Sequence, residues 1–395
     1  LARLAEIADP TVTQWKATIL AEVQALHADH GWAFADSGKN ISFGLVRVAN
    51  IKHAIALAKY LSEHLTGAQI ACYHANDWLI SRFHKEQRLD FLLTRHIDGK
   101  KRKTGNEHIL LDDEIRGIVK NSDHQHIPFI VIATPVEEVG RDHDFDWAVI
   151  DASSIQSIVQ TAGRVNRHRL KGLKQPNIVI PQFNYRYCQN KEAPKVKKMA
   201  AFKWPGFESY QSSSKENIYK TQDLSVLLPW ENGQLVIDAC LRFDQLKCQF
   251  AAYDDAQIEA FCKEYFHPSG HQLFASDQVD SCLLTEGIYK ETALRGIQRQ
   301  EVYIFDYDDQ LKVINKNDRL ELNPATRRYE PSEKPVNFAE EAAPQNAWLA
   351  MHPQQLIELS AEYGLSREEG CKASLAVYSD EIPQWTYHHG FGLYR

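Results

Sequence analysis

Arg164 and Arg167 stand three residues apart in the run Gln160-Thr-Ala-Gly163-Arg164-Val-Asn-Arg167. At the start of a helix that spacing puts both guanidinium forks on one face, and planar forks suit the charge that develops on a phosphoryl group in transfer. Gly163 costs about 1 kcal/mol inside a helix and is kept where something must approach closely, which speaks against a merely solvated basic helix. Upstream, Phe129-Ile-Val-Ile-Ala-Thr134 is an apolar strand ending in a hydroxyl, as expected where a sheet's carboxyl edge meets a ligand. Thr134 can hydrogen-bond a nucleic-acid phosphate. Gly140 lets the backbone approach a nucleotide, and Asp142 can accept from a ribose hydroxyl. A plain strand and turn, with Asp142 as a cap, is the alternative for this stretch taken alone.

The surrounding segments predict the frame that holds these residues. Residues 1–30 read as a helical lead-in (Leu4, Ile7, then Trp15, Ile19, Val23, Leu26) broken at Pro10-Thr11. Strands are expected at Ile41–Val48, Ile70–His74, Ile127–Ala133, Trp147–Ile150 and Ile178–Pro181. Helices are expected at Asn50–Leu65, Trp78–Arg95 and Ile155–Val165. That alternation predicts an α/β fold, a parallel sheet covered on both faces, over residues 1–185. Residues 186–225 are polar and read as a linker. Residues 226–395 read as a smaller, acidic α+β module, with strands at Leu235–Ile237, Val302–Tyr307 and Leu311–Ile314 and helices at Ala256–Tyr265 and Ala350–Tyr363.

Composition narrows the class. The 395 residues are 44% hydrophobic and 25% charged, as in ordinary globular proteins. The net charge of −7 argues against a uniformly basic wrapper of nucleic acid, although basic clusters occur at Lys100–Lys103, Arg164–Lys174 and Lys191–Lys203. No apolar run approaches the ~20 residues that span a bilayer. Seven cysteines without CxxC pairs fit reduced thiols in a cytoplasm. The chain opens on Leu1, without a signal peptide, and is expected to be a piece of a longer protein.

Other candidates are weaker. Ile109-Leu-Leu-Asp-Asp113-Glu114 resembles a magnesium-holding acidic box, but acids also favour a helix start. His143-Asp144 resembles a phosphohydrolase pair but lacks further ligands at suitable spacing, as do His267/His271 and His388/His389. No metal ligands are therefore assigned. GxxxxGK[ST] does not occur, and Ser37-Gly38-Lys39-Asn40 lacks both the first glycine and the final hydroxyl, so tight ATP binding by this chain alone is not expected.

The strand ending in Thr134 and the Gln160–Arg167 run resemble, in order and spacing, motifs V and VI of superfamily-two helicases. Gly44-Leu-Val-Arg47-Val-Ala-Asn50 resembles motif IV, and Cys72-Tyr73-His74 the motif after it. Arg47, Tyr73 and His74 are candidates to line a strand groove by charge and stacking. The wording Ala-Thr-Pro-Val-Glu-Glu-Val-Gly-Arg-Asp, then Gln-Thr-Ala-Gly-Arg-Val-Asn-Arg-His, with the tail Trp385-Thr-Tyr-His-His-Gly-Phe-Gly, is similar to the CRISPR-associated helicase–nucleases of type I-F systems, the form fused to an adaptation domain. The resemblance implies a second RecA-like lobe, a linker and a C-terminal domain. It implies ATP with Mg2+ shared with a first lobe, Arg164 and Arg167 as fingers on the γ-phosphate, and Gln160 orienting the attack, with Gly140, Asp142 and Gly163 near the nucleotide. It also implies 3′-to-5′ pulling and degradation of single-stranded DNA, an RNA-guided surveillance complex and the adaptation integrase as partners, and HD-nuclease metals outside this chain. Arg141, between Gly140 and Asp142, departs from wider helicase usage. Another superfamily-two motor, or a silent module that docks protein or single-stranded DNA, are the alternatives.

Overall fold

The apolar run His126–Ala133 forms the middle of a sheet, with every residue after His126 buried. Its side chains alternate between two cores. Phe129, Val131 and Ala133 face one, and Ile130 and Ile132 face the other. Such two-sided burial is what a parallel sheet covered on both faces requires. The computed structural model describes residues 1–202 except 36, 98, 99, 102–104, 139, 170 and 193–200. It also describes 218–237, 256, 259, 300–323, 328–336, 338–376 and 384–395. Most of the expected helix Ala256–Tyr265, most of the linker, His267/His271 and part of the Lys100–Lys103 loop lie outside the described residues.

In chain order the first part comprises β1 (Ala2–Ala5), α1 (Val12–His30), β2 (Trp32–Phe34), β3 (Lys39–Arg47), α2 (Ile51–His64), β4 (Gln69–Tyr73), α3 (Leu79–Leu93), β5 (His96–Ile97), β6 (Lys100–Lys101), α4 (Glu107–Leu111) and α5 (Asp113–Asn121). It continues with β7 (His126–Ala133), a 3-10 turn (Pro135–Glu137), β8 (Trp147–Ile150), α6 (Ile155–Ala162), β9 (Ile178–Pro181), α7 (Tyr185–Glu192), α8 (Leu224–Leu227) and β10 (Gln234–Leu235). The sheet runs β10-β1-β9-β8-β3-β7-β4, with β2 hairpinned onto β3. All pairs are parallel except β2–β3 and β1–β10. Helices α1, α2 and α7 cover one face, and α3, α5 and α6 the other. No helix among the described residues is long and apolar enough to cross a membrane.

Three expectations need correction. Residues 2–5 do not join a helical lead-in but pair in parallel with β9. The helix starts only after Thr11, whose hydroxyl caps it by accepting from Gln14 N. Helix α6 stops at Ala162, so Arg164 and Arg167 lie in the turns beyond it and share no helix face. Gly163 is its C-cap at φ −64, and an added Cβ would make only ordinary contacts at 3.4 Å. The helix-interior argument for a glycine there is void. Gly44 is the glycine that packing demands, because a Cβ would fall 2.1 Å from the Trp147 ring.

The acidic segment before α5 behaves as a helix start. Asp112 caps Ile115 N at 3.0 Å, and Asp113 and Glu114 occupy the first turn.

The later residues form β11 (Gln300–Tyr307), β12 (Leu311–Asn323), β13 (Arg328–Val336), β14 (Ala339–Glu341), α9 (Pro353–Glu362), α10 (Arg367–Gly370), β15 (Lys372–Ala376), β16 (Thr386–His388) and β17 (Gly392–Tyr394). Their sheets run β13-β12-β11-β15 and β14-β16-β17. They share a core with Trp78 and Ile80 of the first part. Residues 346–348 continue the large sheet beyond β4, with Ile70 N donating to Asn346 O and Trp348 N to Ile70 O, both at 2.8 Å. Trp348 then packs on Phe129 and Phe43, at ring distances of 5.0 and 5.9 Å.

Candidate functional site

Four parallel strands deliver residues to one edge of the sheet: β3 ends at Arg47, β4 at Tyr73, β7 runs into Thr134, and β8 into Asp151. The carboxyl edge of a parallel sheet is where ligands of doubly wound folds bind. Here the edge divides into a buried scaffold and an exposed rim.

Arg47, only 2% exposed, belongs to the scaffold. Its Nε donates to Glu138 Oε1 at 2.6 Å, Nη1 to Asp151 O at 2.7 Å, and Nη2 to Ser153 Oγ at 2.9 Å. Tyr73 is also buried, its hydroxyl donating to Glu86 at 2.8 Å and accepting from Arg141 Nη2 at 2.6 Å. Burial and the Glu86 contact hold its pKa well above the ordinary value. His74 lies under the last residues of the chain and donates from Nε2 to Phe391 O at 2.7 Å. Burial lowers its pKa to about 4. Thr134, 4% exposed, donates its N–H to Tyr73 O at 3.2 Å and opens the 3-10 turn. The structure thus brings these four together behind the rim, not on it.

Arg164 is 6% exposed and braces the same turn, donating from Nε to Glu137 O at 3.2 Å and from Nη2 to Glu138 O at 2.8 Å. The exposed rim consists of Gly140, Asp142, Gln160, Gly163 and Arg167. Gly140 sits at φ +72, a left-handed conformation that favours glycine, with open space where a side chain would project. Asp142 Oδ1 accepts from Arg167 Nε at 2.9 Å and from His168 Nε2 at 3.0 Å. Burial alone would raise the Asp142 pKa, but the His168 and Arg167 contacts bring it below the ordinary value. His168 Nδ1 accepts the Arg95 N–H at 3.1 Å, which leaves the proton on the nitrogen facing Asp142.

Sequence reasoning missed the network beneath the rim. Arg95 and Arg169 clasp Asp144 and Asp146, all four nearly solvent-free. Burial opposes ionisation of Asp146, yet the two guanidinium groups hold its pKa far below the ordinary range. Asp144 also accepts from the N–H of Arg167 at 3.0 Å, so this network sets the backbone that carries the rim arginine. His143 points elsewhere, between Glu137 at 2.6 Å and Asp90 at 2.7 Å. Burial disfavours its charge, but the two carboxylates raise its pKa to about 9. His143 and Asp144 therefore serve separate ion networks and form no phosphohydrolase pair. The repeated acids of Asp142-His-Asp-Phe-Asp146 were the available signal.

Among the described residues, His96, Asp142 and His168 are the group whose ligand atoms lie close enough to share an ion, within 4.8 Å. The proton on His168 Nε2 and the Arg167 cation on Asp142 both oppose that use.

The first part is thus an α/β sheet, mostly parallel and covered by helices on both faces, with a glycine turn, a carboxylate and arginines at its carboxyl edge. Residues 40–170 match the family described as the C-terminal region of the CRISPR-associated nuclease/helicase Cas3, so this segment is Cas3-like. Over 210 residues the chain is 37% identical to the CRISPR-associated nuclease/helicase Cas3 subtype I-F/YPEST of Pectobacterium atrosepticum, covering 51% of this chain and 17% of that protein. Over 187 residues it is 33% identical to the protein of the same description from Pseudomonas aeruginosa, covering 46% and 16%. The matches thus span less than a fifth of the length of these relatives. Among solved structures, T. fusca Cas3 with AMPPNP is 16% identical with a TM-score of 0.32, over 46% of this chain and 18% of that one. A CRISPR-associated protein is 13% identical with a TM-score of 0.40, over 95% and 35%.

Proposed function

We propose that this chain forms the second lobe and C-terminal module of an ATP-driven, 3′-to-5′ single-stranded DNA helicase–nuclease acting in CRISPR interference. The observation that carries this reading is the exposed Arg167–Asp142 pair beside the left-handed Gly140, at the carboxyl edge of the Cas3-like segment. ATP and Mg2+ would be held mainly by another lobe, since these residues contain no phosphate-cradling loop. A half-exposed ion pair is worth only about 0–1 kcal/mol, so Arg167 can leave Asp142 for a γ-phosphate at little cost. Asp142 is then free to accept from the ribose. Gln160, on the last turn of α6, would orient the attacking water, and Gly163 would keep the rim low beside the nucleotide. Arg164 would hold the turn, while Thr134, backed by Arg47, Tyr73 and His74, would meet the DNA strand. The surveillance complex and adaptation integrase are the partners this reading implies, and the lobe extends past the expected 186–225 linker, since α7 and β10 pack on the large sheet.

In the full-length protein, Arg167→Ala should lower DNA-stimulated ATP hydrolysis by about 10³-fold, with single-stranded DNA affinity changed little. Hydrolysis unchanged by the substitution would sink the reading.

A further inference from the structure

Asp142 sits in a stretch of chain with little of its own to hold it. Gly140, at φ +72 with open space beside it, tolerates conformations that other residues resist. Among the described residues no backbone–backbone hydrogen bond ties residues 140–143. The Asp142 side chain is half exposed. Its placement therefore falls to its two neighbours in the chain, Arg141 and His143.

Both neighbours are tied to α3. Arg141 Nη2 reaches Glu86 Oε1 at 2.7 Å and the Tyr73 hydroxyl at 2.6 Å, and that hydroxyl donates to the same Glu86 oxygen at 2.8 Å. The three groups close a triangle in which one nitrogen has both of its hydrogens engaged. The guanidinium carbon also lies 5.6 Å from the centre of the Tyr73 ring, within cation–π range. One helical turn further on, Asp90 holds His143 at 2.7 Å. Glu86 and Asp90 are four residues apart and share a face of α3.

The helix is itself well fixed. Leu89, Leu92 and Leu93 are fully buried in the core against the sheet. Phe83 meets Tyr363 edge to face at 5.1 Å, and Trp78, at the helix start, lies 4.6 Å from Phe305. Groups held to such a helix are placed more precisely than groups left to a loop. An ordinary surface ion pair would account for the Glu86 contact alone. It does not account for a guanidinium that also engages a buried tyrosine from the position between Gly140 and Asp142.

We propose, on the reading that Asp142 meets the ribose, that Arg141 is a positioning residue for the nucleotide: by clamping the chain to Glu86 and Tyr73 it aims the Asp142 carboxylate at the sugar. Arg141 itself touches no substrate.

The experiment is steady-state hydrolysis of ATP and of 2′,3′-dideoxy-ATP by the full-length protein with single-stranded DNA. Wild type should prefer ATP about tenfold in kcat/KM, the equivalent of one hydrogen bond. Arg141→Ala should raise the KM for ATP about tenfold and bring the two nucleotides within about twofold of each other, with kcat changed much less. Arg141→Lys keeps the cation without the fork and should restore part of the preference. Glu86→Gln keeps the size of the side chain and removes its charge, so it should move both quantities in the same direction. It decides the matter if Arg141→Ala fails to fold. A wild type indifferent to the sugar hydroxyls would overturn the Asp142 reading, and this proposal with it. A wild type that discriminates, with variants that keep both its KM and its preference, would overturn the proposal alone. A lowered thermal midpoint with unchanged kinetics would also overturn it, leaving Arg141 a structural pair.

Discussion

At Asp142 a guanidinium and an imidazole share one carboxylate oxygen, and the partner that leaves decides what the residue can do next. If Asp142 exchanges Arg167 for a ribose hydroxyl, Asp142→Asn should raise the KM for ATP about tenfold, the equivalent of one hydrogen bond. The loss in kcat should be much smaller than in Arg167→Ala. Steady-state kinetics on the full-length protein would expose the opposite pattern, a collapsed kcat at constant KM. Arg47 makes the contrasting case. Its three partners lie 91 to 106 residues downstream, so no local reading of Gly-Leu-Val-Arg could foresee that the charge is buried. Arg47→Ala would leave Glu138 without its cation and should cost about 3–5 kcal/mol in urea unfolding. A loss under 1 kcal/mol would contradict that account. That Gly140, Asp142 and Arg167 lie exposed was legible, because none carries an apolar side chain to bury and they flank an apolar strand that ends the buried run. Tyr73 and His74 misled because their types fit both a groove and a core.

At the level of elements, the central strands were legible because burial on both faces demands unbroken apolar runs. Strand β1 was not, since the spacing of Leu4 and Ile7 also fits a helix and only the pairing with β9 decides. The end of α6 was hidden for a related reason. Val165 keeps the apolar rhythm, yet its partner is Phe145, through a bridge in which Phe145 N donates to Arg164 O at 2.8 Å. Contact between β3 and β8 rests on Gly44, under the Trp147 ring. Gly44→Ala should cost about 1–3 kcal/mol by overpacking, read as a lowered urea midpoint with unchanged slope. A neutral substitution would show that Trp147 can move aside. The 3-10 turn depends on the His143 imidazolium between Glu137 and Asp90, with Arg141 as the neighbouring cation. Its folded pKa of about 9 exceeds the unfolded value of about 6.5. The stabilisation is therefore complete below pH 6.5 and fades as pH rises through 9.

Across the whole molecule, four other histidines act in the opposite direction. Burial lowers the pKa of His27, His53, His74 and His388 to about 4 each. The unfolded chain takes up those protons first, so stability should fall steadily as pH drops from about 6.5 towards 4. With His143 failing on the alkaline side, thermal midpoints should peak near neutral pH. A flat profile between pH 4 and 7 would show that these rings are solvated. The two parts of the chain share this sensitivity because they share cores, with Trp78 set among the late strands and Trp348 among the early ones. Since Ile70 finds its edge partner only at residues 346–348, the rim of β4 stays unpaired while more than 270 further residues are synthesised. An open strand edge invites pairing with other chains. Ribosome speed and chaperone cover over that interval should govern how much of the newly made protein escapes aggregation.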